Sequence, residues 1–439
     1  MCFDKARVSF LLRHHLPRLL AVPVAVALIF GQLTVADAQT RRPPPRPRAA
    51  PAPKPEPYTP KLDSAGNPDI SAKGSIVVDR ATGQVLWAKD PDAKLFPAST
   101  TKILTALIMV ERLRPETPIK APDDIEKITG ASLHLKPGEV LTAYDMLQAV
   151  LLRSANDACH AVSIHIAGSV EGFAKLMNEK ARELGMTNSN FRNAHGLHDP
   201  EHYTTARDLA NLARAAMKDP TIQEIVGRRR AEVTRSINQE DRVIISRNRL
   251  VGRESRFHGI KTGFTRPAGA CFVGAAAHDG IEIITVVLGS EDWFADTKFL
   301  ADWAFEQFDR KTLASPGETI AQIELPASNQ TLRVGPRQPI QALARTSGES
   351  AFELKAVPHE QLSPPVELGD VVGKVRIKGT FGYEAETDLV ALEGIEAPPV
   401  AAKVAGGSGM GWILAGALGV AGLVLKRKSR RLSRVPIRG

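Results

Sequence analysis

The sequence predicts an α+β protein built on one antiparallel sheet that is covered by helices. Strand-like runs lie near both ends of the segment 62–312, and helical periodicity dominates between them, from Ile103 to about Met217. Because this helical stretch separates the two groups of strands, we expect a single sheet with a helical subdomain on its flank. A site formed by both parts would lie at the seam between them.

The individual elements are marked by alternation and by turn residues. Two apolar runs flank Ala81-Thr82-Gly83 and predict a hairpin that begins the sheet. The predicted elements are the hairpin strands 75–78 and 84–87, the later strands 272–274 and 282–288, and a closing helix over 294–308.

Residues 313–397 predict a second, small all-β domain. Short runs at 320–325, 351–356 and 371–377 alternate apolar and polar residues and are separated by Pro, Gly and Ser. No catalytic group of residues is apparent in this domain, so we interpret it as a spacer or a docking module.

The N-terminal end of the chain predicts export. Basic residues in 1–18 precede the apolar run 19–30 and the small residues Ala36-Asp37-Ala38, which together are typical of a signal peptide covering 1–38. A retained membrane anchor is the alternative. Residues 39–61 are rich in Pro, Ala and Arg, cannot bury a core, and predict an extended linker.

The C-terminal end predicts a membrane helix. A short linker, 398–403, leads to residues 404–425, which hold no charged residue across 22 positions. A helix of that length spans about 33 Å, enough for a bilayer core of about 30 Å. The basic tail 426–439 would stay in the cytoplasm and leave the predicted globular part on the extracytoplasmic, periplasmic face.

The charge distribution argues against nucleic acid as a partner. The net charge is +9, but the first 60 residues contribute +6 and the last 31 contribute +7, so the segment 61–408 carries −4. The predicted globular part is therefore mildly acidic and offers no electrostatic support for binding a polyanion.

Ser99-Thr100-Thr101-Lys102, just before an apolar helical run, suggests acyl transfer. Residues three apart lie on one face of a helix, so the serine and the lysine side chains can meet. A serine hydroxyl needs a base in order to attack a carbonyl, and a partly desolvated lysine can be that base. We therefore take Ser99 as the candidate nucleophile and Lys102 as its general base.

Two further motifs accompany this pair. Ser154-Ala155-Asn156 lies in a short break between two predicted helices, a rigid place from which to direct side chains. The same Ser-x-Asn spacing at Ser236 and Ser246 falls in a charged segment, 227–256, that resembles an exposed hairpin, so we set those two aside. Lys261-Thr262-Gly263 precedes a run of small and β-branched residues that suits an edge strand beside a cleft.

The three motifs, in this chain order, form the set found in penicillin-binding proteins and class A β-lactamases. Over about residues 62–310 the chain closely resembles the low-molecular-mass D-alanyl-D-alanine carboxypeptidases, which implies a penicillin-binding, β-lactamase-like transpeptidase fold. The β domain resembles theirs more loosely. The resemblance extends to Phe96-Pro97-Ala98, Ser154-Ala155-Asn156-Asp157-Ala158, Phe191 and Asn193 with Gly196-Leu197, the run His202-Tyr203-Thr204-Thr205-Ala206-Arg207-Asp208-Leu209-Ala210, and Gly259-Ile260-Lys261-Thr262-Gly263-Phe264-Thr265 with Ala268-Gly269.

The resemblance implies a serine carboxypeptidase that removes the terminal D-alanine from peptidoglycan stem pentapeptides through an acyl-enzyme, and that β-lactams acylate. In this interpretation Ser154 relays a proton to the leaving group and Asn156 orients Lys102. Lys261 lowers the pKa of Lys102 and receives the substrate carboxylate beside Thr262 and Gly263, while the backbone N–H groups of Ser99 and Phe264 form the oxyanion hole. No metal or organic cofactor is implied.

Three alternative functions can be weighed against these residues. A D,D-endopeptidase acting on crosslinks would use the same site. A class A β-lactamase would need a Glu-x-x-Leu-Asn motif, which the chain lacks. A catalytically idle peptidoglycan-binding scaffold would not need Ser99, Lys102, Ser154 and Lys261 together.

Two other groups of residues could carry chemistry. His195, His198, Asp199 and His202 suggest a zinc site, but they fall in a turn region that the resemblance covers without a metal. Cys159 and Cys271 could pair in an exported protein, although we favour two buried, reduced thiols.

Overall fold

The computed structural model describes residues 58–325, 330–347, 352–379 and 383–397. The predicted signal peptide, most of the linker that follows it and the predicted membrane helix at 404–425 lie outside these residues. Among the helices that are described, none combines the length and the apolar character that crossing a bilayer requires.

Short loops join the helices and strands of the described chain. The helices are α1 (Lys102–Arg112), α2 (Ala143–Gln148), α3 (Asn156–Ala167), α4 (Val170–Glu183), α5 (Ala206–Ala216), α6 (Pro220–Val226) and α7 (Trp293–Gln307), with 3₁₀ turns at Ala98–Thr101 and Ile125–Lys127 and a π-helical turn at Ala149–Arg153. The strands are β1 (Lys61–Leu62), β2 (Pro68–Asp69), β3 (Gly74–Asp79), β4 (Val85–Lys89), β5 (Pro118–Lys120), β6 (Val140–Thr142), β7 (Arg230–Glu232), β8 (Val243–Ile245), β9 (Phe257–Thr265), β10 (Gly269–His278), β11 (Ile281–Ser290), β12 (Phe308–Ala314), β13 (Ala321–Leu325), β14 (Gln330–Pro336), β15 (Ile340–Arg345), β16 (Glu353–Pro358), β17 (Val371–Lys378) and β18 (Glu384–Ala391).

The central sheet has the order β4-β3-β11-β10-β9, and all its neighbouring strands are antiparallel. The predicted first hairpin is confirmed as β3 and β4, and its turn uses Gly83 at a positive φ of 80°. The predicted later strands and closing helix are confirmed as parts of β10, β11 and α7. The strand β9 lies at one edge of the sheet, as the sequence predicts for the Lys261 motif.

Both faces of the central sheet are buried. Successive strand residues point to opposite sides of a sheet, and each side packs into its own apolar core. Val77, Phe272 and Ile283 join a core that includes Leu300 and Trp303 of α7. Their immediate neighbours Ile76, Val273 and Ile284 join a larger core formed with helices α1 to α6. The α+β fold with a helical part on one side of the sheet is therefore as predicted, and it places the site at the junction between β9 and the helices.

The C-terminal part is all β, also as predicted. It contains the pair β12–β15 and a five-stranded antiparallel sheet of order β13-β14-β18-β17-β16, which closes over its own apolar core. The Gln84 side chain connects it to the central sheet, since its amide nitrogen donates to the carbonyl of Leu343 at 2.6 Å and its carbonyl accepts from the N–H of Leu343 at 2.8 Å.

The segment 227–256 is less exposed than its charge pattern suggests. The expected hairpin is present as β7 and β8, but Arg235 and Glu139 form an ion pair whose side chains have no exposed surface. The expectation of an exposed hairpin is therefore wrong in part. A sequence pattern cannot show that an arginine is buried and paired with a carboxylate almost a hundred residues away.

Candidate active site

Ser99 lies in the 3₁₀ turn Ala98–Thr101, which runs directly into α1. The preceding residue, Ala98, is buried and has a positive φ of 48°, a conformation that costs an L-residue about 1–2 kcal/mol. The turn brings Ser99 Oγ to 3.0 Å from Lys102 Nζ, as the spacing in the sequence predicts. The candidate nucleophile and its candidate base are therefore in direct hydrogen-bond contact.

Lys102 is fully buried, and its ammonium group has three acceptors. Besides Ser99 Oγ, it donates to Asn156 Oδ1 at 2.8 Å and to the carbonyl of His195 at 2.6 Å. The amine is therefore held in one orientation, directed at the serine.

Ser154 and Asn156 follow the π-helical turn Ala149–Arg153, and irregular turns of this kind are frequent at functional sites. Ser154 adopts a left-handed backbone with φ 65° and ends the turn, and Asn156 begins α3. The side chain of Asn156 donates to the carbonyl of Thr129 at 2.7 Å, which leaves Oδ1 directed at Lys102.

Lys261 projects from β9 and reaches Ser154. Its Nζ donates to Ser154 Oγ at 3.0 Å and to the carbonyl of Thr262 at 2.8 Å. Lys261 and Thr262 are buried, whereas Phe264 is 62% exposed at the edge of the sheet. A Cβ on Gly263 would lie 2.7 Å from the Ser99 nitrogen, so only glycine lets the β9 backbone approach the nucleophile this closely.

Burial dominates the electrostatics of both amines. It lowers the pKa of Lys102 to about 8, and the positive charge of Arg247 adds to this lowering, while the negative charge of Asp157 opposes it. Burial, followed by the charges of Lys102 and Arg247, also lowers the pKa of Lys261 well below its ordinary value. Burial is the largest cause of both shifts, and the repulsion between the two amines contributes to the lowered pKa of Lys261. The expected effect of Lys261 on the pKa of Lys102 stays a prediction.

The histidines near the site contact backbone N–H groups, a threonine hydroxyl and an aromatic ring. His195 Nδ1 accepts from the N–H of Leu197 at 3.2 Å, His202 contacts Thr101 and Arg192, and His198 packs edge-on against Phe96. Burial lowers the pKa of His195 to about 3 and that of His202 to about 4. In the described part of the chain, no three His, Cys, Asp or Glu side chains are grouped as a metal ion needs.

Cys159 and Cys271 are both buried and unpaired, which confirms the favoured prediction of two reduced thiols. Burial raises the pKa of Cys159 to about 11 and that of Cys271 to about 12, so neither is a thiolate at neutral pH.

The structure therefore groups Ser99, Lys102, Ser154, Asn156 and Lys261 in one connected cluster, with Thr262, Gly263 and Phe264 on the adjoining strand. Sequence reasoning missed two contributors. The carbonyl of His195 carries no side-chain signal, although the neighbouring Asn193 and Gly196 already suggest a tight turn. Arg247 was hidden in the segment interpreted as an exposed hairpin.

Comparison with known proteins identifies the family of the chain. A model of the D-alanyl-D-alanine carboxypeptidase family matches residues 61–292. The chain is 30% identical over 354 residues to D-alanyl-D-alanine carboxypeptidase DacC of Escherichia coli, covering 75% of this chain and 85% of that protein. It is 29% identical over 333 residues to D-alanyl-D-alanine carboxypeptidase DacF of Bacillus subtilis, covering 73% of this chain and 85% of that protein.

A solved structure also matches. It is that of a peptidoglycan synthesis regulatory factor (PBP3) from Streptococcus pneumoniae, with a TM-score of 0.64 and 26% identity over 75% of this chain and all of that one. Fold and site together define a penicillin-binding, serine-type hydrolase. The chain belongs to the D-alanyl-D-alanine carboxypeptidase family, and it is a serine D-Ala-D-Ala carboxypeptidase.

Proposed function

We propose that Ser99 Oγ attacks the carbonyl of the terminal D-Ala-D-Ala bond while Lys102 Nζ accepts the serine proton. The observation that carries this assignment is the 3.0 Å contact between Nζ of the fully buried Lys102 and Oγ of the half-buried Ser99. A pKa of about 8 gives Lys102 a neutral fraction near physiological pH that an exposed lysine would lack. Asn156 Oδ1 and the His195 carbonyl keep the amine directed at the serine.

Ser154 and Lys261 are positioned to serve the leaving group. The 3.0 Å contact between Lys261 Nζ and Ser154 Oγ supports a relay in which Ser154 takes the proton that Lys102 received from Ser99 and in exchange gives its own proton to the nitrogen of the departing D-alanine. As the C–N bond breaks, D-alanine leaves with that proton and the substrate remains as an ester on Ser99. Water then attacks the ester: its hydroxyl stays on the released, shortened peptide, and its proton passes to Ser99 Oγ as the ester bond breaks.

The strand β9 is placed to bind the substrate. We assign the oxyanion hole to the backbone N–H groups of Ser99 and Phe264, which the close approach of Gly263 to the Ser99 nitrogen supports. The substrate carboxylate would be received by Lys261 and Thr262. A carboxylate that enters this site raises the pKa of Lys261 and favours its charged form.

The experiment is covalent labelling with a fluorescent penicillin, whose acylation reports the nucleophile. Ser99→Ala should abolish the label and keep the wild-type melting temperature, because the side chain is small and only half-buried. A matched control is Ser236→Ala, in a Ser-x-Asn pair outside the cluster, which should label normally. Labelling of the Ser99→Ala protein would show that the nucleophile is misassigned.

We also propose that the enzyme is exported and acts on the extracytoplasmic side of the membrane, held there by the helix predicted at 404–425. The support comes from the sequence: the basic, apolar and small-residue pattern of 1–38, and an uncharged run of 22 residues followed by six basic residues between 426 and 434.

A further inference from the structure

The carbonyl of Ala98 is held from two sides. Thr101 Oγ1 donates to it at 2.9 Å. The backbone of Gly196 packs so closely against it that a Cβ there would lie 1.8 Å from the carbonyl oxygen. Ala98 itself is in the left-handed region, which an alanine retains only when its surroundings fix it.

His202 contacts the Thr101 hydroxyl that binds the Ala98 carbonyl. Its Nε2 lies 2.9 Å from Thr101 Oγ1, and its Nδ1 accepts from the N–H of Arg192 at 3.2 Å. Because Nδ1 is an acceptor, the ring proton is on Nε2 and is donated to Thr101. The Thr101 hydroxyl proton is then free to bond Ala98. The ring is 2% exposed and packs edge-on against Phe191, which fixes its orientation. His202 therefore donates to the Thr101 hydroxyl, and that hydroxyl donates to the Ala98 carbonyl.

The peptide plane connects this chain of hydrogen bonds to catalysis. The Ala98 carbonyl and the Ser99 N–H belong to one planar trans peptide, so a bond that fixes the carbonyl also fixes the direction of the N–H. That N–H is the donor assigned above to the oxyanion hole.

We infer that His202 is a positioning residue for the oxyanion hole, acting through Thr101 Oγ1 and the Ala98 carbonyl to aim the Ser99 N–H. The inference rests on the proposed role of Ser99. It assigns a task to a histidine that touches neither Ser99 Oγ nor Lys102 Nζ through any hydrogen bond of the described residues.

The test compares paired variants on a peptide ending in D-Ala-D-Ala. Thr101→Val removes the hydroxyl at constant volume, and Thr101→Ser keeps it. His202→Leu removes both ring bonds, and His202→Gln supplies an amide N–H near the position of Nε2. Loss of an oxyanion donor costs about 10²–10³ in kcat, so a misaimed donor should cost at least about ten-fold.

We expect Thr101→Val and His202→Leu to lower kcat, and the rate of penicillin acylation, by about ten-fold or more, with KM within about two-fold. Thr101→Ser and His202→Gln should recover most of this loss. The double variant Thr101→Val/His202→Leu should be no slower than the slower single variant, because the two groups act in series.

The control is Ser163→Ala. The Ser163 hydroxyl, like that of Thr101, donates to the backbone carbonyl three residues earlier, here His160 at 2.8 Å, but it lies outside the turn that carries Ser99. This variant should leave kcat unchanged. The inference is overturned if Thr101→Val retains wild-type kcat, if Ser163→Ala loses as much, or if the two single losses add. If His202→Leu does not fold, His202→Phe takes its place, because it removes both ring hydrogen bonds and keeps a ring against Phe191; wild-type kcat in that variant overturns the inference. Penicillin labelling of Ser99→Ala would instead refute the proposed function on which the inference rests.

Discussion

At the scale of single residues, the reactivity of Lys102 comes from burial. A lysine on an exposed helix would be charged at neutral pH, whereas this one has no exposed surface and its pKa is about 8. Because the neutral amine is the base, the acylation rate should rise with pH up to about 8 and level off above it. Among the neighbouring charges, Asp157 raises this pKa and Arg247 lowers it.

Arg247→Gln should therefore move the rising limb of the pH–rate profile to higher pH. Removing a positive charge near Lys102 makes its protonated form easier to maintain, so a higher pH is needed to generate the base. The measurement is the second-order rate of acylation by a β-lactam between pH 6 and 10. Arg249→Gln is the matched control, because Arg249 lies over the ring of Phe294 and should leave the profile in place. An unchanged or acid-shifted profile for Arg247→Gln would contradict this electrostatic account.

Lys261 offers a test of how the substrate carboxylate is received. Lys261→Met keeps most of the side-chain volume and removes the charge. A hydrogen bond to a charged group is worth about 1.5–3 kcal/mol, so kcat/KM on a D-Ala-D-Ala peptide should fall roughly ten- to a hundred-fold. The wild-type preference for this peptide over its C-terminal amide should shrink as well. If the variant retains that preference, another group binds the carboxylate.

At the scale of elements, the sequence predicts contacts between residues that are close to each other along the chain. Ser99 and Lys102 meet because they are three residues apart on one turn, and the sequence states that spacing directly. The contacts of Lys102 with Asn156 and of Lys261 with Ser154 join distant parts of the chain. Spacing could not predict them, and only the resemblance to a family placed these residues together. The burial of Lys261 and of Arg235 likewise depends on packing that alternation does not encode.

The buried ion pair between Arg235 and Glu139 should be the main support of the segment around β7 and β8. The guanidinium donates to both carboxylate oxygens, at 2.6 and 2.8 Å, and to the carbonyls of Leu133 and His134. Arg235→Met would leave a buried charge without its partner and should reduce the free energy of unfolding by about 3–5 kcal/mol in a denaturant titration.

The exposed pair of Arg230 and Glu232, on β7 of the same hairpin, supplies the control. Arg230→Met should change the free energy of unfolding by less than about 1 kcal/mol, because exposed ion pairs contribute little. Adding Glu139→Gln to Arg235→Met should recover part of the loss by removing the stranded charge. Equal effects of the two arginine substitutions would mean that the buried pair has no special role.

At the scale of the whole molecule, the order of strands and helices was predictable from periodicity, and the β domain was predictable from its change of pattern after residue 312. The apolar cores of the described residues are built from side chains between Ile70 and Ile395. Truncation after Ala402 should therefore give an active enzyme that no longer sediments with membranes.

The full-length protein should resist extraction by high salt and by alkaline carbonate and should require detergent. Its recovery in the carbonate supernatant would reject a spanning helix and favour a peripheral anchor.

The most direct test of the account is the release of D-alanine from a disaccharide pentapeptide by the purified enzyme. We expect the wild-type protein to produce one free D-alanine and one tetrapeptide per substrate molecule, and Ser99→Ala to produce neither. Brief acid quenching of the wild-type reaction should trap a peptide ester that maps to Ser99. Absence of D-alanine release by a folded, penicillin-labelled wild-type enzyme, or release by Ser99→Ala at the wild-type rate, would contradict the central claim.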